Sequence, residues 1–419
     1  VATGGASPSG GAGAAGGNPN GGAAGAATGG SSGVSGASGA GGTAGASGGS
    51  GGAAGASGGS AGAGAGAGGT SGTGGTGGAT GGSAGKGGTG GSGGGGTGVV
   101  GTPIGFATLN GGTTGGAAGQ TVTATTYAQL KMYAESATAY VILVQGTISN
   151  GADGGVINVR SNKSIVGVGN NAFLNGVGLN ISSYNNIIVQ NLRISLIGVT
   201  TRTDKSGVYS STGDEGRPQI LVNGGDAIGI QGTSKNIWID HCEIFAENPD
   251  TQTNIDLYDG LVDIKNQTGF ITISYSYFHD QHKGHLTGSS DTDLFADRKI
   301  TWHHNYYNKV KLRVPMYRGA IGHFFNNYIV GAQDASEIRA DSCVRIEKNY
   351  YEALHYSIYT SSDSPGNTQR IDNVEVMRTT RAYPTDCTAD IPYTYSNVLT
   401  STTNDVKTLV PAGAGVGKI

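Results

Sequence analysis

From about Val99 onward, apolar and polar residues alternate in short bursts that recur along the chain. Six eight-residue windows carry the pattern: Ile187–Ile194, Ile237–Ile244, Ile271–Phe278, Ile300–Tyr307, Gly322–Ile329 and Val344–Tyr351. Their first and third positions are mostly apolar and alternate with polar ones, the period-two signature of a strand with one buried face. The sixth position of the last three windows is Asn305, Asn327 and Asn349, 22 residues apart each time. A short strand repeat of that period, with a polar residue at a fixed turn, predicts an all-β solenoid, a parallel β-helix. No coil buries its inner face alone, so coils stack. The asparagines then lie above one another and satisfy backbone groups of the neighbouring turn. Earlier windows are spaced by 50, 34 and 29 residues. The excess predicts long loops on one side of the solenoid, where a cleft is built. Isolated strands of this kind also occur in sandwiches and barrels, but those folds give no reason for a fixed asparagine column.

Two other elements are legible. Thr126–Ser136 reads as a helix with Thr125 or Thr126 as N-cap, and Tyr140–Thr147 reads as a strand. Residues 1–98 are a different material, almost only Gly, Ala, Ser and Thr, with Lys86 as the sole charge and no aromatic residue. Such a segment buries too little apolar surface to offset its backbone entropy, so a disordered leader is expected ahead of one folded domain, 99–419. It has no Gly-X-Y period, which excludes collagen. No apolar run is long enough to span a bilayer. The leader and the absence of a span point to an exported protein, tethered through the leader to a surface. Of three cysteines, Cys242 falls at a repeat position expected to be buried, which leaves Cys343–Cys387 as the expected disulfide; three free buried thiols are the alternative.

The formal net charge of −3 on 419 residues gives no general attraction to nucleic acid or to an acidic membrane. An anionic ligand must therefore meet a local cationic cluster. Three stretches supply candidates. In Asp259-Gly-Leu-Val-Asp263-Ile-Lys265, the two aspartates and Lys265 share strand parity and face one side. Asp256 and the run from Asp226 to Ile230 can join them, and such an oxygen-rich group suits calcium. Lys283 follows a strand, among His279, His282 and His285, whose three-residue spacing also suggests a zinc site. In Arg313-Val-Pro-Met-Tyr-Arg318, Pro315 interrupts the ladder and lets two guanidinium groups converge on a carboxylate. Each stretch alone reads more readily as a solvated polar face or a surface ion pair.

Together and in order, Trp238-Ile-Asp-His241, Asp263-Ile-Lys265, Lys283 and Arg313-x-Pro-x-x-Arg318 resemble the polysaccharide lyase family of pectate lyases, as do Gly105-Phe-Ala and Gly111-Gly-Thr-Thr-Gly-Gly116 at the opening. The resemblance runs over most of residues 101–419. It implies a right-handed parallel β-helix and calcium-dependent β-elimination of polygalacturonate, leaving 4,5-unsaturated galacturonate ends. It implies Asp226, Asp259 and Asp263 as calcium ligands, and Lys283 as the lysine on the substrate carboxylate. Arg313 would be the base that takes the C5 proton, with Arg318 and Lys265 binding substrate. The Trp238–His241 signature reads as structural. The chain departs from the family at Gly224, where a second acid is usual, and at Asp259, where a longer Glu is common. The metal site is then weaker, or completed by Asp256, Asp214, Glu215 or the substrate's carboxylates.

An ordinary guanidinium titrates above about 12, so an arginine base implies an alkaline optimum. Three rivals are open. Pectin lyase acts on esterified substrate without a metal, and the three aspartates argue against it. A β-helical polygalacturonase is a hydrolase that needs paired carboxylates and has no use for the two arginines. A non-catalytic adhesin keeps the solenoid without Lys283 or Arg313. A monomer is expected.

Overall fold

The computed structural model describes residues 98–377, 379 and 383–419; the expected leader, up to residue 97, lies outside them. An eleven-stranded parallel sheet runs from Gln120–Ala124 through Ile187–Gln190, Lys235–Asp240, Gly269–Ser274 and Lys299–His303 to Thr385–Asp386. A second, seventeen-stranded sheet divides into two parallel ladders. One includes Glu243–Phe245, Tyr277–Lys283 and Tyr306–Leu312. The other includes Gly155–Asn158, Val177–Ser182, Ile228–Gln231, Val262–Ile264, Leu286–Thr287, Met316–Arg318 and Asp334–Arg339. The two ladders touch where Leu312 pairs with Asp334. The chain visits the three ladders in turn and repeats, which makes a three-sided parallel β-helix. Within these ladders pairing runs to the coil before and the coil after, so strands buried on their inner face stack without hairpins; the antiparallel pair Tyr209–Ser210 with Gln219–Ile220 lies outside them.

The eight-residue windows are not single strands, as the alternation alone suggests. Each covers the end of one strand, a corner, and the start of the next. The fifth position makes the corner: Asn191, His241, Tyr275, His304, Asn326 and Lys348 all take a left-handed backbone, with φ between 44° and 55°, and Asp372 does the same one coil beyond the last window. Asn, Asp and His bear that conformation at least cost. The first, third and eighth positions point inward, and Ile237, Ile239, Ile244, Ile300, Trp302, Tyr307, Phe324, Val344, Ile346 and Tyr351 are wholly buried. The sixth position holds the corners together. Asn327 Oδ1 accepts from the Asn305 N–H at 2.9 Å, and Asn349 Oδ1 accepts from the Asn327 N–H at 2.9 Å. Asn373, absent from the windows, continues the column at 3.0 Å from the Asn349 N–H.

The predicted helix is Tyr127–Ala134, with Thr126 Oγ1 accepting from the Gln129 N–H. The predicted Tyr140–Thr147 strand is broken: Tyr140–Val144 lies on the eleven-stranded sheet, Gly146 turns at φ 74°, and Thr147–Ile148 starts the next face. A C-terminal helix, Thr403–Gly413, was not expected from the pattern. Its Val406 and Val410 cover the outer tyrosines Tyr306, Tyr328 and Tyr350. Cys343 and Cys387 form the expected disulfide, and Cys242 is a buried free thiol. No helix among the described residues is long and apolar enough to cross a membrane.

Candidate active site

Three carboxylates meet on the ladder that contains Ile228–Gln231 and Val262–Ile264. Parallel pairing sets Ile228 against Val262 and Gly229 against Asp263. Asp226 lies just before the first strand and Asp259 just before the second. Asp226, Asp259 and Asp263 each turn an oxygen inward so that the three atoms lie within 4.8 Å of one another. Gly260 makes the approach possible. Its N–H donates to Asp226 Oδ1 at 2.9 Å, and a Cβ there would stand 2.2 Å from Asp263 Oδ1.

Asp226 and Asp263 are 3% and 2% exposed. Lys265 Nζ lies 3.2 Å from Asp226 Oδ2 and 3.1 Å from Asp263 Oδ2. The second approach is off the direction of a hydrogen bond and leaves Asp263 Oδ2 an orphan buried acceptor. Burial, the Asp263 carboxylate and then Asp259 push Asp226 well above the usual carboxylate range, against the pull of Lys265. Burial and Asp259 likewise raise Asp263, again opposed by Lys265. One ammonium does not neutralise this group. Crowded, partly unsatisfied oxygens of this kind fit a hard cation with flexible oxygen coordination. Among the described residues this is the acidic cluster able to hold a metal.

Lys283 ends the Tyr277–Lys283 strand and is 5% exposed. Its Nζ lies 2.9 Å from both Asp259 Oδ1 and Asp214 Oδ2. Burial pulls the ammonium's pKa down, but the Asp259 and Asp214 carboxylates more than offset it and hold the value above normal. Asp214 is held low, chiefly by its hydrogen bond to Lys283. Leu312 pairs with Lys283 on the next coil, so Arg313 follows one position later. It takes a left-handed backbone, φ 59°, before the cis Val314–Pro315 bond. Its guanidinium approaches the same Asp214 oxygen at 3.7 Å.

Arg318 stands on the outward row of Lys265, continued through Gly288: Ile264 pairs with Thr287, and Thr287 with Tyr317. It does not converge with Arg313 on one carboxylate, as the proline-centred reading expects. Instead its Nε donates to Asp291 Oδ1 at 2.7 Å. Arg339, its register partner on the following coil, donates to Asp291 Oδ2 at 2.6 Å. Sequence reasoning missed Asp291 and Arg339. Arg339 follows Arg318 by about one coil, which is the signal that could have found it.

Several expectations are corrected. Asp256 does not join the trio: its Oδ2 accepts from the Glu215 and Arg217 N–H groups at 2.8 and 3.1 Å, holding the loop that carries Asp214. Asp214 is itself engaged by Lys283. The three histidines make no zinc site. His285 is wholly buried against Phe278 and Trp302, and burial lowers its pKa to about 3. His279 stacks between Phe245 and Tyr277. The Trp238–His241 signature lies on the eleven-stranded sheet instead. There Asp240 accepts from Ser274, Gln190 and His241, in a structural network.

A solenoid face that gathers three acids, two lysines and two arginines around one groove has the make-up of a site for a polyanionic chain held through a cation. The comparisons agree with it. The pectate lyase family model matches residues 98–419. A pectate trisaccharide-lyase of Bacillus licheniformis is 39% identical over 325 residues, which is 75% of this chain and 86% of that one. Pectate lyase plyB of Emericella nidulans is 33% identical over 318 residues, covering 75% and 88%. Among solved structures, a pectate lyase from Bacillus sp. N165 in complex with trigalacturonate superposes with a TM-score of 0.61 at 31% identity, over 75% of this chain and 99% of that one. The chain belongs to the pectate lyase family.

Proposed function

We propose that this protein cleaves polygalacturonate by β-elimination, with calcium bound at Asp226, Asp259 and Asp263. The observation that carries the reading is the junction of two charge systems at one point. Asp259 belongs to the carboxylate trio and also pairs with Lys283, and Lys283 shares Asp214 with Arg313. In polygalacturonate the C5 hydrogen lies next to a carboxylate, and its removal builds negative charge on that carboxylate. A bound calcium ion would supply fixed positive charge there.

The chain's own residues take the remaining roles. Lys283, kept protonated by its two aspartates, donates to the uronate carboxylate as charge develops, where preorganised positive charge is worth most. Arg313, in the neutral guanidine form that alkaline pH supplies, takes the C5 proton and becomes a guanidinium. The C–H electron pair becomes the C4–C5 double bond, and the C4–O bond breaks towards the leaving sugar. Lys265 and Arg318 bind the substrate's carboxylates along their shared row; guanidinium suits that geometry. Asp214, more than half exposed on its loop, gives up its hold on Lys283 and Arg313 to the substrate's carboxylate. Residues 1–98 tether an exported catalytic domain, and the enzyme works as a monomer.

The test is the ultraviolet absorbance of unsaturated product from polygalacturonate, with calcium and with chelator. The reading expects absorbance that calcium supports and chelator removes. Equal rates in both would overturn the metal assignment, and reducing ends without absorbance would make the enzyme a hydrolase.

A further inference from the structure

One carboxylate joins two cations of the groove. Arg318 Nε donates to Asp291 Oδ1 at 2.7 Å, and Arg339 Nη2 donates to Asp291 Oδ2 at 2.6 Å. Arg318 and Arg339 are register partners on successive coils, about 4.8 Å apart along the ladder. Asp291 therefore bridges two guanidinium groups that would otherwise repel each other. Against the cost of burial, hydrogen bonds from Arg339 and Arg318 hold its carboxyl below the usual carboxylate range. Arg318 Nη1 reaches back to the Gly288 carbonyl at 3.3 Å, whereas its Nη2 makes no hydrogen bond among the described residues.

The loop that carries Asp291 is itself fixed. Asp293 Oδ2 accepts from the Asn266 and Ser289 N–H groups at 2.9 and 2.8 Å. Arg298 is wholly buried. Its guanidinium donates to Asp293 Oδ1 at 2.6 Å, to the Arg318 carbonyl at 3.0 Å, and to the carbonyls of Asp293 and Asn266. Asn266 follows Lys265 directly, so this buried cation ties the loop to the backbone beside Lys265 and to that of Arg318. Gly288 keeps the packing close: a Cβ there would stand 2.7 Å from Arg318 Cβ and 3.1 Å from Arg298 Nη1. A carboxylate mounted on so braced a loop has one place to stand, and the guanidinium groups bonded to it share that order.

We propose that Asp291 is a positioning residue, which holds the Arg318 guanidinium in the orientation that meets a uronate carboxylate, with Arg339 as its second anchor. The inference rests on the lyase reading above and concerns a residue that touches no substrate itself. An unrestrained arginine gives up rotamer freedom when it grips a ligand, and two neighbouring guanidinium groups swing apart. Asp291 offsets both costs in the free enzyme through Arg318 Nε, and it leaves Nη2 for the substrate. The bare charge argument points the other way: an acid beside the row weakens its pull on a polyanion, so its removal would tighten binding. The two views differ in sign.

The experiment measures kcat and KM for unsaturated product from polygalacturonate with calcium, for the wild type, Asp291→Asn and Asp291→Ala. The Asp291 side chain is 33% exposed, and Arg339 keeps Glu337 and Asp363 as partners, so both variants are compatible with folding. Positioning predicts that KM rises roughly ten-fold in the alanine variant while kcat stays within about two-fold of wild type. The asparagine variant should show a smaller rise, because its one carbonyl oxygen still holds one arginine. An unchanged or lowered KM in Asp291→Ala overturns the positioning role. So does a loss confined to kcat, which is what a merely structural role gives by lowering the active fraction. No unsaturated product from the wild type overturns the lyase reading itself, and this role with it.

Discussion

A buried lysine usually loses its proton easily, and Lys283 is nearly inaccessible, yet Asp259 and Asp214 keep its ammonium charged. That suits it to hold negative charge on a substrate rather than to act as a base. Arg313 differs: one carboxylate lies near it, at 3.7 Å, and its guanidinium is a quarter exposed. An ion pair this loose contributes at most about 1 kcal/mol to stability. Arg313→Ala should therefore keep the wild-type melting temperature within a degree or two while turnover falls by about a hundred- to ten-thousand-fold, the usual worth of a positioned base. Near-normal turnover in that variant would place the base elsewhere. Lys283→Ala should lose activity as well, but with a measurable loss of stability, because Asp259 is then left without its cation.

Among the elements, the corner column matters most. Asn327 accepts from the Asn305 backbone and side-chain N–H groups and donates to the Trp302 carbonyl and to Asn349. Valine there would strand several buried partners, each at about 1–3 kcal/mol. Urea unfolding of Asn327→Val should show a loss of roughly 3 kcal/mol or more, whereas a loss under about 1 kcal/mol would mean that the column is decoration. This column is also why the fold was legible in the sequence. One polar residue type recurring every 22 positions requires coils of equal length stacked in register. Local spacing put Asp259, Asp263 and Lys265 on one face, but the full trio and the roles of Lys283 and Arg313 came from the resemblance to the family. What the sequence hid depends on contacts between coils. The left-handed corners involve different residues at each turn, so no single type marks them. Asp214 reaches Lys283 across 69 residues, and its loop is fixed by the buried Asp256 through backbone groups that no motif records. The C-terminal helix was missed because its apolar face matches a tyrosine stack that exists only once the coils are aligned.

At the scale of the molecule, the buried histidines set the response to acid. Burial lowers His285 to about 3 and His304 to about 4; it lowers His323 to about 4 against the pull of Glu347, and takes His303 well below its ordinary value. Between 6.5 and these values the unfolded chain binds more protons than the folded one, so stability falls as pH drops. The contribution is complete above 6.5 and is lost as pH falls towards 4. Asp226, Asp263 and Glu375, raised in the fold, act in the opposite sense, but they are three against five, because burial lowers His282 as well. The melting temperature should therefore decline steadily from pH 7 to pH 5. His304→Asn keeps a residue suited to the left-handed corner and should flatten that slope by up to about 1.4 kcal/mol per pH unit. An unchanged slope would show that His304 is not buried in its neutral form.

The central claim is that this groove removes a carbon-bound proton instead of adding water. The most direct test is the mass of the new non-reducing end formed from polygalacturonate. Elimination predicts an end lighter by one water than a hydrolytic fragment of the same length. Ends that carry the full water would contradict the account, however closely the chain follows its relatives.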